Sequence, residues 1–191
     1  MAQRRRGGRG QRLCDRYQAS ADLAAAGRLR RGRRPRARRR PGLFRPADPA
    51  YLNGIVAHPD GSVLLVASQG EGGTLWRADL ANHTAAPVDL GGYEFNADGM
   101  LLDGEVLYGV TNRGGDIENV RFMISVARLA PGWRSAAIVA ELADPDWDCP
   151  TTIAKVNGQL LIVCSQVRAM HTKTPPRLPF EIASTDLPNW T

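Results

Sequence analysis

Three stretches of the chain put a polar residue where an apolar strand begins. Asn53 does so in Asn53-Gly54-Ile55-Val56-Ala57-His58-Pro59-Asp60-Gly61, and Asp98 in Asn96-Ala97-Asp98-Gly99-Met100-Leu101-Leu102-Asp103-Gly104. Thr151 or Thr152 does so in Pro150-Thr151-Thr152-Ile153-Ala154-Lys155-Val156-Asn157-Gly158. An apolar run follows each: Val63–Ala67, Val106–Val110 and Leu160–Cys164. A carboxylate and an amide oxygen brought together suit a hard divalent cation, which takes oxygen ligands. Such an ion could polarise a carbonyl and stabilise the oxyanion formed in ester or lactone hydrolysis. The plainer reading is local, since Asn-Gly and Asp-Gly before a strand also serve as turn residues held by their own backbone.

For Asn53, Asp98 and Thr151 to meet, repeated elements must present them at equivalent places. The spacing is 45 residues from Asn53 to Asp98 and 53 from Asp98 to Thr151. Strand and turn signals recur between them, and no amphipathic helix stands out. The first unit reads as strands 53–58, 63–68, 74–80 and 86–90, with a glycine loop at 70–73. The second reads as strands 98–102, 105–111, 121–129 and 135–142, with a loop at 112–119. The third reads as strands 151–156, 159–165 and 179–184, the last two separated by a loop rich in proline and basic residues. Asp103-Gly104 and Asn157-Gly158 supply the positive φ that tight hairpins need. About four short strands per repeat at this period predict an all-β fold, a partial β-propeller of about three blades. The first strand of each blade would line a central channel, where Asn53, Asp98 and Thr151 or Thr152 converge.

Charge divides the chain in two. Through Arg45, sixteen arginines against two acids give +14, whereas the remainder carries −8 and the whole chain +6. Residues 1–45 are therefore expected to form an arginine-rich, disordered leader, because blocks of like charge repel. A mis-called start or frameshift, a solvated tail, a polyanion-binding arm and a mitochondrial-type presequence are all compatible with that composition. It lacks the continuous apolar stretch of a secretion signal. The folded part, 46–191, is acidic, which argues against nucleic-acid binding except nonspecifically through the leader. Cys14, Cys149 and Cys164 have no metal-ligand spacing and fit a reducing, cytoplasmic setting. No apolar run is long enough to span a membrane as a helix.

Other chemistry is thinly represented. His58, His83 and His171 have no paired spacing, and Asp144, Asp146 and Asp148 lack the later glycine and glutamate of an EF-hand loop. Trp76 and Trp133 are expected on outer strands, packed between blades. No phosphate-binding loop, dinucleotide fingerprint or serine-nucleophile motif is present.

The segments Asn53-Gly54-Ile55, Pro59-Asp60-Gly61, Leu64-Leu65-Val66-Ala67 and Ala97-Asp98-Gly99-Met100 resemble the gluconolactonase/regucalcin (senescence marker protein) family. Pro150–Ala154 and Leu160–Val163 are similar to that family's last blades. The resemblance covers roughly residues 50–185 and the C-terminal half of the family's fold. It implies a six-bladed propeller holding one divalent cation (calcium, zinc, magnesium or manganese) and hydrolysing a small-molecule lactone or ester. It assigns Asn53 and Asp98 as metal ligands, with Asp98 also the base that activates water. The family's glutamate ligand and a further substrate-contacting arginine and asparagine would lie upstream, where this chain has its arginine-rich segment. The expectation is thus a truncated hydrolase with little activity alone, or a noncatalytic binding or scaffold module. A homodimer would complete the propeller.

Overall fold

The computed structural model describes residues 51–69, 72–114 and 119–187. The expected leader, the 45/46 boundary and Cys14 lie outside the described residues. Within them the chain is all-β: eleven strands form three antiparallel sheets, accompanied by one short helix and one 3-10 turn.

The first sheet runs in chain order through β1 (Tyr51–Ala57), β2 (Val63–Gln69), β3 (Leu75–Asp79) and β4 (Thr84–Pro87). The second does the same through β5 (Met100–Asp103), β6 (Val106–Arg113), β7 (Arg121–Leu129) and β8 (Ala136–Leu142). The third has β9 (Pro150–Val156), β10 (Gln159–Cys164) and β11 (Ile182–Asp186), with β10 in the middle. In the first two sheets the up-and-down order follows from connections too short for anything but antiparallel neighbours, whereas β10 and β11 pair antiparallel across the longer segment 165–181. Between β9 and β10 both Asn157 (φ 50°) and Gly158 (φ 79°) take positive φ, the pattern of a type I′ hairpin.

Apolar residues on both faces of the central strands make the sheets stack. Val63, Leu65, Ala67 and Leu75 of the first sheet meet Leu107, Ala127 and Leu129 of the second in one core. The other face of the second sheet, with Tyr108, Val110, Ile124 and Val126, meets Ile153, Leu160, Ile162 and Cys164 of the third. Leu65, Leu107, Ile124, Leu160 and Ile162 are wholly buried, each such side chain contributing about 1.5–3 kcal/mol. Along β6 the alternation of Leu107 with Tyr108 sends neighbours into different cores, so one strand joins both.

The two seams are wedge-shaped. The sheets approach each other along their first strands, β1 against β5 and β5 against β9. Farther out, the connecting chain fills the gap: Val88, Leu90 and Phe95 insert between the first two sheets, and Trp147 packs into the second core. The 3-10 turn Pro131–Trp133 adds Trp133 to the first core, where it packs against His58 with ring centroids 4.6 Å apart and planes tilted by 60°. Trp133 thus packs between sheets from a turn, not from an outer strand as expected. Trp76 does lie on a strand, with its indole N–H donating to Ser68 Oγ at 3.3 Å. At the opposite end of the second seam, Lys155 of β9 pairs with Asp103.

Two expectations need correction. The fourth strand ends at Pro87 instead of extending over 86–90; beyond it Asp89 forms an isolated parallel bridge with Ser135. The proline- and base-rich loop contains a six-residue helix, α1 (Val167–Thr172). It begins at Gln166 with φ 53° and no side-chain cap, so none of the usual start signals marks it. Among the described residues, no helix is long and apolar enough to cross a membrane.

Candidate functional site

Asn53 and Asp98 do not simply open their strands; each sits at a β-bulge. Leu52 pairs with Ser68 and Ile55 with Val66, so Asn53 and Gly54 together face Ala67. In the second sheet Asp98 donates its N–H to the Val110 carbonyl while Gly99 accepts from Val110, both at 2.8 Å, and Met100 then pairs with Gly109. In the third, Thr152 pairs with Val163 and Pro150 with Cys164, leaving Thr151 as the extra residue. A bulge adds one residue, bends the strand and re-aims a side chain. Its recurrence at one end of all three sheets explains why a polar residue interrupts each apolar pattern there.

The glycines beside these residues bring the sheets together. A Cβ on Gly54 would come within 2.8 Å of the Asp98 carbonyl oxygen and of Met100 Cγ. One on Gly99 would lie 2.6 Å from Thr152 Cα and 2.7 Å from the Thr151 carbonyl oxygen. The Gly54 N–H donates across the seam to the Ala97 carbonyl at 3.2 Å. With the backbones this close, the Asn53 side chain comes near enough to the Asp98 carboxylate to favour its charged form. Two residues 45 positions apart are thereby brought close. Thr151 and Thr152 reach the same level through Gly99, so the third sheet contributes backbone and hydroxyl groups rather than a charge.

Asp98 is half-buried, and desolvation raises its carboxyl pKa above the ordinary value, with nearby Asn53 opposing. Other carboxylates go the opposite way: hydrogen bonds from Ser62 hold exposed Asp60 down at about 2, and those from Asn82 lower Asp79. Asp98 is the one carboxylate among the described residues with a resolved upward shift, and no cation contributes to that shift. A desolvated carboxylate whose neighbour is an amide suits a hard cation in kind. It falls short in number, for no group of three or more His, Cys, Asp or Glu gathers there among the described residues.

A second repeated signal escaped the sequence reading. After the apolar middle strands come Ser68-Gln69, Thr111-Asn112 and Ser165-Gln166, a hydroxyl residue followed by an amide each time. Their amides tie down loops at the bulged end. Gln69 Nε2 donates to the Asn96 carbonyl at 3.3 Å, and Asn96 Nδ2 donates to the Asn112 carbonyl at 2.9 Å. Gln166 both donates to the Arg177 carbonyl (2.9 Å) and accepts from the Arg177 N–H (2.7 Å). Asn96, two residues before Asp98, is thus fixed from both neighbouring strands. A hydroxyl chain continues outward: Thr111 and Ser125 lie 2.6 Å apart, Ser125 and the Tyr93 hydroxyl 2.6 Å, and Tyr93 donates to Glu141 at 2.7 Å. Arg113 closes it, pairing with Glu141 at 2.9 Å and covering the Tyr93 ring.

The histidines play no part here: His58 contacts Asp60 and packs at a tilt against Trp133, while His83 and His171 are exposed. Asp144 accepts from the nearby Asp146 N–H, and Asp148 pairs with Arg177 from the loop before β11. Cys149 and Cys164 are free and buried. Comparison with known proteins gives no matching family model and no matching curated sequence.

Proposed function

We propose that Asn53 and Asp98 form one corner of a divalent-cation site on a β-propeller-type scaffold, and that its chemistry is hydrolysis of a small-molecule lactone or ester. The observation that carries this reading is the close approach of β1 to the Asp98 backbone at Gly54, which brings Asn53 near a half-buried carboxylate that no cationic side chain stabilises. The resemblance to the gluconolactonase/regucalcin family supports it on the same two residues.

Asn53 and Asp98 would hold the ion, which when bound supplies a Lewis acid toward the substrate carbonyl. The Asp98 carboxylate would accept a proton from the attacking water. The Asn53 amide favours the charged form of that carboxylate. Gly54 and Gly99 leave no side chain between the neighbouring backbones. A noncatalytic binding module is the second reading, favoured by the small number of donors.

The test is calorimetric titration with calcium, magnesium, manganese and zinc, run beside lactone and aryl-ester hydrolysis. Saturable binding and metal-stimulated turnover are expected in the wild type, both lost in Asp98→Ala. Turnover at equal rates in the two proteins would remove the hydrolase; binding without turnover leaves the noncatalytic module.

A further inference from the structure

We infer that the Thr151 hydroxyl is a third oxygen donor to the ion held by Asn53 and Asp98, and that this ion is calcium, magnesium or manganese. This role rests on the cation site proposed above, which a separate arm of the experiment tests.

The step from the first sheet to the second is repeated from the second to the third. A Cβ on Gly54, the residue after Asn53, would come within 2.8 Å of the Asp98 carbonyl oxygen. A Cβ on Gly99, the residue after Asp98, would come within 2.7 Å of the Thr151 carbonyl oxygen. Register agrees with these approaches. The pair Asp103–Val106 beside its turn corresponds to Val156–Gln159 in the third sheet, both residues 53 positions on, and the same displacement carries Asp98 onto Thr151. Each of the three is also a bulge residue. Asn53 with Gly54 faces Ala67, Asp98 with Gly99 faces Val110, and Thr151 falls between the partners of Cys164 and Val163. Thr151 therefore stands to Asp98 as Asp98 stands to Asn53. The first step sets the Asn53 amide near the Asp98 carboxylate; the second sets the Thr151 hydroxyl near it from the other side. Thr152 is placed differently, for its Oγ1 lies in the seam, 2.7 Å from where a Gly99 Cβ would stand.

Thr151 is partly buried, as Asp98 is, and its hydroxyl has no hydrogen-bond partner among the described residues. The hydroxyls of Ser68, Thr111, Ser125 and Ser165 are all bonded within the fold. A hydroxyl without an internal partner keeps both lone pairs for a ligand. Hydroxyl oxygen ligates hard cations, as the serine or threonine of a phosphate-binding loop does magnesium. A carboxylate, an amide and a hydroxyl make an all-oxygen set, the kind that calcium, magnesium and manganese take with water in the remaining places. Protein zinc sites draw instead on Cys and His, and no group of three or more His, Cys, Asp or Glu gathers among the described residues.

Calorimetric titration of the full chain with calcium, magnesium, manganese and zinc, each alone, tests the assignment. Wild type should bind at least one of the first three, and Asp98→Ala none. Thr151→Val keeps the size and β-branching of the side chain and removes only the hydroxyl. It should bind roughly tenfold or more weakly, with an unchanged circular dichroism spectrum and Tm. Thr151→Ser keeps the hydroxyl and should recover most of the affinity. A purely structural Thr151 predicts the reverse order, with valine tolerated and serine impaired, and that order overturns the assignment. Equal affinity in wild type and Thr151→Val, with binding lost in Asp98→Ala, overturns it too and leaves a site without Thr151. A wild type that takes zinc and none of the other three overturns the all-oxygen set while the cation site stands. A wild type that binds no ion removes the site itself and the role of Thr151 with it. If Thr151→Val loses its β spectrum, Thr151→Ala carries the same comparison.

Discussion

Replacing Gly99 with alanine tests whether the sheets are as close as the site requires. Gly99 does not have the positive φ that only glycine tolerates, so alanine meets no backbone strain there. In an open position the change would stabilise the chain by about 0.4–1 kcal/mol, by restricting the unfolded state. Here the added Cβ falls 2.6 Å from Thr152 Cα, 2.7 Å from the Thr151 carbonyl oxygen and 2.7 Å from Thr152 Oγ1. Two of those atoms are backbone and have no rotamer to change, so relief must come from parting β5 and β9. Overpacking of that kind costs about 1–3 kcal/mol, and about 2–2.5 kcal/mol of that range applies where the two strands must part. Net of the entropic gain, Gly99→Ala should destabilise by roughly 1–2 kcal/mol. At about 2–4 °C per kcal/mol for a chain of this size, Tm falls by roughly 2–8 °C. Thermal unfolding followed by circular dichroism measures it, with Gly99→Val expected to lose more. An unchanged or higher Tm for Gly99→Ala would show that the second seam is not closed at the bulges, and the convergence of Asp98 on its neighbours would go with it.

Asp98→Asn should separate function from stability. Because burial raises the folded pKa of Asp98 above the unfolded 3.8, the folded chain binds more protons than the unfolded one between those values. The stability associated with this group is full below pH 3.8 and is lost as pH rises through the folded pKa. The Tm of Asp98→Asn relative to wild type should therefore climb from pH 3 to pH 7 without added metal, and a flat difference would refute the desolvation. Tyr93→Phe removes the hydroxyl shared by Ser125 and Glu141, while Ser125 keeps Thr111 as a partner. The expected loss is about 1 kcal/mol, the low end for a disturbed buried hydrogen bond. An unchanged Tm would mean the chain of hydroxyls does not hold the second sheet to the loop before Asp98.

Sequence alone determined the strands. Runs such as Val63–Ala67 and Leu160–Cys164, punctuated by Asp103-Gly104 and Asn157-Gly158, carry their instructions locally, because β-branched and aliphatic residues favour extended backbone and Asn-Gly favours positive φ. The strand 121–129 falls where it was expected, and most others agree within a residue or two. Residues 167–172 show the limit of that reasoning: a six-residue helix without a capping side chain leaves no pattern to read. Sequence also singled out Asn53 and Asp98, since a polar residue repeated at the start of apolar strands is a local anomaly. Only the tertiary structure decided that they lie at neighbouring places. That placement depends on register, on bulges that add a residue opposite Ala67 and Val110, and on glycines that let backbones of different sheets approach within van der Waals distance. None of these is a property of one segment. The pKa of Asp98 is likewise set by what covers it, and a one-dimensional pattern of residues does not state what covers what.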